Sequence, residues 1–128
     1  MATLDDAAQA ALALEEVTEG DRHGRRAWSV AGKVFAWERP YSKADLKRFG
    51  DRPPPLLPVL AVAVADLHEK EAVLAENRNG IFTIPHFDGY PAVLVELRQV
   101  RKPALRAILL DGWLACAPPR LTERFRTP

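Results

Sequence analysis

The run RAWSVAGKVFAWE at residues 26–38 constrains the fold of this chain more than any other stretch. Two alternating runs flank Ala31-Gly32, and the pattern predicts a β-hairpin closed by a two-residue turn. Such a turn pairs Val30 with Lys33, Trp28 with Phe35 and Arg26 with Trp37. Opposed residues share a face, so Trp28, Val30, Phe35 and Trp37 line one side. That side is expected to be core. Its alternative use is an exposed aromatic platform on which nucleic-acid bases stack. The other side, Ala27, Ser29, Val34 and Ala36, is small and mixed.

Helix and strand signals alternate around this hairpin. Thr3 and Asp6 form a capping-box pattern, and Leu4, Ala8, Ala11, Leu12 and Glu15 keep helical spacing. They predict a first helix ending near residues 17–20. Residues 39–58 read as an irregular insertion. Within it Ser42 and Asp45 open a short helix over 43–49 capped by Gly50, and Pro53, Pro54 and Pro55 then force an extended segment. VLAVAVA at 59–65 predicts a buried strand. Asp66 and Glu69 open a helix over 67–76, closed by NRNG with Asn79 or Gly80 in the left-handed conformation. Strands are expected at 81–84 and 92–100, joined by the turn-rich loop PHFDGYP at 85–91. Pro103 suits the first turn of a last helix over 103–116, and residues 119–128 read as a basic tail.

This order predicts one α+β domain over residues 1–128, with a largely antiparallel sheet of about five strands and helices packed on it. At 128 residues the chain has the length of one domain and buries enough surface to fold without a metal or a disulfide. Its single cysteine, Cys116, excludes an intrachain disulfide. No apolar run approaches the roughly 20 residues of a membrane span. The acidic start MATLDDAAQA lacks the basic region of a secretory signal. The expected setting is the cytoplasm, with no membrane partner.

Charge is polarised along the chain although the net value is only +1, from 18 bases and 17 acids. Residues 1–21 carry six acids and no base; residues 22–58 carry nine bases and three acids. A chain so divided presents a basic face to a polyanion, unless folding intersperses the two signs. The candidate phosphate contacts are Arg22, Arg25, Arg26, Lys33, Arg39, Lys43, Lys47, Arg48 and Arg52. Lys33 stands at the hairpin tip, and Lys43 and Lys47 lie one helical turn apart. Such side chains bind backbone phosphates without reading sequence. The long helices are acidic or apolar, so no basic recognition helix is expected.

The runs GRRAWSVAGKVFAWERP, VAVADLHEKEAVL and IFTIPHFDGYPAVLVEL, followed by a final helix ending LACAP, together resemble the MmcQ/YjbR family. The resemblance spans about residues 4–125. It implies a CyaY-like (frataxin-like) α+β fold and a double-wing DNA-binding protein, and it brings no catalytic motif. The insertion at 39–58 departs from shorter members. Frataxins carry an acidic ridge for iron on their first helix. Here Asp5 and Asp6 are separated from Glu15 and Glu16 by about 15 Å of helix, so the ridge is not carried over.

Catalytic chemistry finds no pattern to rest on: GxSxG, the P-loop and HExxH are all absent. Cys116, between Ala115 and Ala117, is expected to be a buried, inert thiol. His23 and His68 fall in polar surroundings. His86 and Asp88 form an H-x-D pair, but two ligands are too few to hold a metal, and Asp88-Gly89 also reads as a turn. No catalytic residue, cofactor or metal site is therefore expected. The expected function is non-catalytic DNA binding, weak and largely independent of sequence, through Arg25, Arg26, Lys33, Arg39, Lys43, Lys47 and Arg48. The alternative is a protein- or small-ligand-binding module that uses the 85–91 loop. In either case His86 and Tyr90 form a functional surface, as a second wing or as the rim of a ligand pocket.

Overall fold

Thr3 and Asp6 cap each other as their spacing predicts. The Asp6 N–H donates to Thr3 Oγ1 at 3.1 Å, and the Thr3 N–H to Asp6 Oδ2 at 2.9 Å. They open α1 (Leu4–Leu12), whose Ala7, Ala8 and Ala11 are buried. The computed structural model describes residues 2–126. After α1 come β1 (Val17–Arg22), β2 (Arg25–Val30) and β3 (Lys33–Glu38). The predicted hairpin joins β2 to β3, with Ala31 and Gly32 at φ 49° and 84°, the left-handed pair of a type I′ turn. Ser42 and Asp45 then cap α2 (Lys43–Phe49) reciprocally, ahead of β4 (Val59–Ala63). Asp66 caps α3 (Leu67–Ala75), and β5 (Ile81–Phe82), β6 (Ala92–Glu96), α4 (Lys102–Cys116) and α5 (Pro119–Arg126) complete the chain.

The fold is α+β, as expected, with one antiparallel sheet in the order β1-β2-β3-β4-β6-β5. It has six strands where about five were expected, because the first helix stops at Leu12 and residues 17–22 form a strand. That strand, VTEGDR, is an edge. Its side chains are almost all exposed, so it carries no apolar alternation to betray it. The two strands flanking the 85–91 loop are shorter than predicted, and residues 97–100 leave the sheet as a turn. The expected basic tail is the helix α5, anchored by Leu121 in the core; residues 127–128 of that tail lie outside the described residues. Asn77 and Gly80, rather than Asn79, take positive φ after α3.

The hairpin register also differs from expectation. Val30 pairs with Lys33 and Ser29 with Val34, but Trp28 pairs with Ala36 and Ala27 with Trp37. Phe35 is an extra residue on β3, a β-bulge that breaks the two-residue period. Trp28, Val30 and Phe35 therefore reach the larger core under α1 and α4, while Trp37 lies in a second core on the other face. That second core contains Ala27, Val59, Ala61, Leu94, Ile84 and Phe87. So the face expected to be small and mixed is covered by the 41–49 and 84–87 segments. Among the described residues no helix is long and apolar enough to cross a membrane.

Candidate functional site

Trp37 owes its position to the bulge, and it forms the floor of a cleft. The antiparallel meander brings the end of β1, the start of β2 and the end of β3 to one end of the sheet. There Arg22 lays its guanidinium 4.7 Å over the Trp37 ring. Arg39, just past β3, lies 5.5 Å over the ring of Phe87. Phe87 ends a 3₁₀ turn, Pro85–Phe87, that opens the IPHFDGYP loop. Tyr90 meets Trp37 and Phe87 edge-on, with ring centroids 6.5 Å and 5.6 Å away. With His86 these five side chains line a cleft of about 260 Å³.

The loop is held from beneath by Lys70 of α3. Its ammonium donates to the Phe87 carbonyl at 2.6 Å and to the Tyr90 carbonyl at 2.9 Å. Lys70 is only 6% exposed. Burial pushes its pKa down, and the Asp88 carboxylate works against that. Backbone bonds from Phe87 to Ile84 and from Tyr90 to Phe87 tighten the same loop. The rim is thus fixed before any ligand arrives.

Arg39 is tied from its other side. It donates to the Pro40 carbonyl and pairs with Asp45 at 3.0 Å. Asp45 is 3% exposed. Burial opposes its charged form, but the Ser42 N–H and the Arg39 guanidinium outweigh it and hold the carboxyl below its ordinary value. Arg39 is therefore a neutralised, fixed plate. Arg22 is exposed and, among the described residues, has no ion-pair partner.

The residues expected to contact phosphate divide into two groups. Arg25 pairs with Glu38 at 3.6 Å, and Arg48 lies 3.8 Å from Asp45. Arg26 is held by Glu19 at 2.8 Å and Asp5 at 2.9 Å, and its pKa is raised by those two acids. With Arg39, four of the seven are engaged inside the molecule. Lys33, Lys43 and Lys47 are exposed and have no ion-pair partner among the described residues. Lys33, at the start of β3, stands about 17 Å along that strand from the end that leads to α2. The hairpin tip and the α2 lysines are therefore at opposite ends of β3. The cleft shares its end with Lys43 and Lys47, since α2 packs on the Pro85–Phe87 turn.

His86 and Tyr90 line the same cleft. Phe87 lines that cleft too, with its ring packed into the second core. Cys116 is half-buried, with its thiol pKa raised by burial. Two members of the site escape a local reading of the sequence. Strict alternation puts Trp37 on the face of Trp28, whereas the bulge turns it to the other. Lys70 sits three residues before Val73 on the buried side of α3, and a lysine in line with an apolar stripe is the signal that marks it.

Two mycobacterial proteins resemble the whole chain. Uncharacterized protein Rv2570 of Mycobacterium tuberculosis and uncharacterized protein Mb2600 of Mycobacterium bovis are each 40% identical to it over 128 residues, spanning 98% of this chain and 96% of their own. The chain belongs to their family. No family model matches it, and no solved structure matches it. What members of this family bind is therefore argued from the cleft itself.

Proposed function

We propose that this protein is a non-catalytic binding module that takes a small anion in the cleft between β3 and the 85–91 loop. Arg22 carries this reading. It is a cation without an acid partner among the described residues, its guanidinium 4.7 Å over the Trp37 ring in a cleft that His86 and Tyr90 also line. Exposed arginines commonly find an acid, as Arg25 and Arg26 do here; a guanidinium with no acid partner, drawn over an aromatic ring, is poised for an oxyanion. Titration with inorganic phosphate, followed by amide chemical shifts, tests it. Saturable shifts should cluster at Arg22, Trp37, His86 and Tyr90, and Arg22→Gln should remove them. Shifts spread evenly over the surface would defeat the reading.

A second reading is favoured by Lys43 and Lys47, exposed and unpaired on the same end of the molecule. It is the one implied by the resemblance to the MmcQ/YjbR family, in which the chain binds duplex DNA through backbone phosphates. The affinity would be about 10⁻⁴ to 10⁻⁶ M at physiological salt and would fall steeply as salt is added. Lys43→Glu combined with Lys47→Glu should then weaken binding to every duplex alike. Affinity indifferent to both charges would remove this reading.

A further inference from the structure

We propose that the cleft selects an aromatic oxyanion: a single flat ring carrying a carboxylate or a phosphate. This rests on the anion-binding reading and adds the ring to it. The cleft holds more than an anion needs. Tyr90 is 46% exposed, and its ring meets those of Trp37 and Phe87 edge-on, at 80° and 89°. Its backbone is pinned at the carbonyl by Lys70 and at the amide by Phe87. An exposed aromatic ring fixed this firmly offers a stacking surface at little entropic cost.

The anionic group has donors within the same space. Arg22 supplies a fork of N–H groups matched to two oxygens of a carboxylate or phosphate, and the His86 imidazole lies on the same lining. Arg39 contributes its positive field but is bound to Asp45 and to the Pro40 carbonyl, so Arg22 is the principal donor. Size sets the rest. At about 260 Å³ the cleft falls just below the range of roughly 300–1,000 Å³ that holds drug-sized ligands. One ring with one anionic substituent fits that volume.

Calorimetric titration separates the components. The probes are phenyl phosphate and benzoate, with inorganic phosphate and acetate as anions lacking a ring and phenol as a ring lacking the anion. Phenyl phosphate or benzoate should bind about tenfold tighter than its ring-free partner, the scale of one stacked ring. Which of the two binds tighter identifies the oxyanion. Tyr90→Ala should erase that difference while leaving inorganic phosphate binding in place. Arg22→Gln, at an exposed position that does not endanger the fold, should lower the affinity of all anions about tenfold or more. Phosphate equal to phenyl phosphate, and acetate equal to benzoate, would overturn the ring and leave the anion site standing. No binding by any anion would overturn both.

Discussion

Trp28 buries its indole completely and still keeps its one polar atom paired, Nε1 donating to Glu19 Oε1 at 3.0 Å. Trp28→Ala should cost roughly 3–5 kcal/mol, the usual range for an aromatic removed from a core. A urea unfolding midpoint close to that of the parent would show that the larger core does not depend on this ring. Tyr41 makes the corresponding link on the other face, where its hydroxyl donates to the Pro55 carbonyl at 2.8 Å. Burial, with the Glu96 and Asp45 carboxylates nearby, raises its pKa from 10.0 to about 12. Between those values the unfolded phenol loses its proton while the folded one keeps it, so the folded state binds more protons and stability falls as pH rises. Below pH 10 this contribution is fully present. Tyr41→Phe should flatten the alkaline slope of unfolding free energy against pH. Lys70, its pKa lowered, gives a slope of opposite sign that is common to both proteins and cancels in the comparison. Identical slopes would remove Tyr41 from the account.

The pieces of the chain with strong local signals were legible, and the cleft was legible only in part. Three N-caps, the Ala31-Gly32 turn and the buried strand at 59–63 follow from residues adjacent in sequence. What escaped depends on partners distant in sequence. β1 is a strand because β2 offers it a ladder, and α5 is a helix that docks through Leu121, with Arg120 and Arg124 reaching Glu16 and Glu15. The bulge at Phe35 answers to packing on both faces of the sheet, which no local pattern reports. Likewise His86 and Tyr90 stood out by composition, whereas the side chain that fixes them is on α3. Lys70→Met should strip the ammonium from the Phe87 and Tyr90 carbonyls, which keep only the backbone N–H groups of Tyr90 and Ala92, a loss of roughly 1–3 kcal/mol. Hydrogen exchange at residues 86–90 should quicken with it. Unchanged exchange there would mean that the loop holds its shape without α3.

On the scale of the whole molecule, one missing methyl group sets the distance between layers. A Cβ on Gly112 would lie 2.7 Å from Val62 Cγ1, 3.2 Å from the Ala63 carbonyl oxygen and 3.3 Å from Phe35 Cδ2. Glycine inside a helix is normally worse than alanine by about 1 kcal/mol. Here the rank reverses, because α4 can cross β3 and β4 this closely only where it has no side chain. Gly112→Ala should lower the melting temperature, through overpacking of roughly 1–3 kcal/mol that exceeds the helix gain. A raised melting temperature would show that Val62 can turn aside.

The strand order carries a last consequence. β1, β2 and β3 form a meander closed by two-residue turns, whereas β4, β6 and β5 are joined across longer stretches of chain. Arg22 and Trp37 belong to the first set; His86, Phe87 and Tyr90 come from the second. Local pairings close sooner than distant ones during folding. A chain with only its meander formed has the floor of the cleft and no wall, and the reverse partial state has a wall and no floor. Whatever binds the cleft therefore discriminates against both half-formed species and draws the population toward the finished molecule.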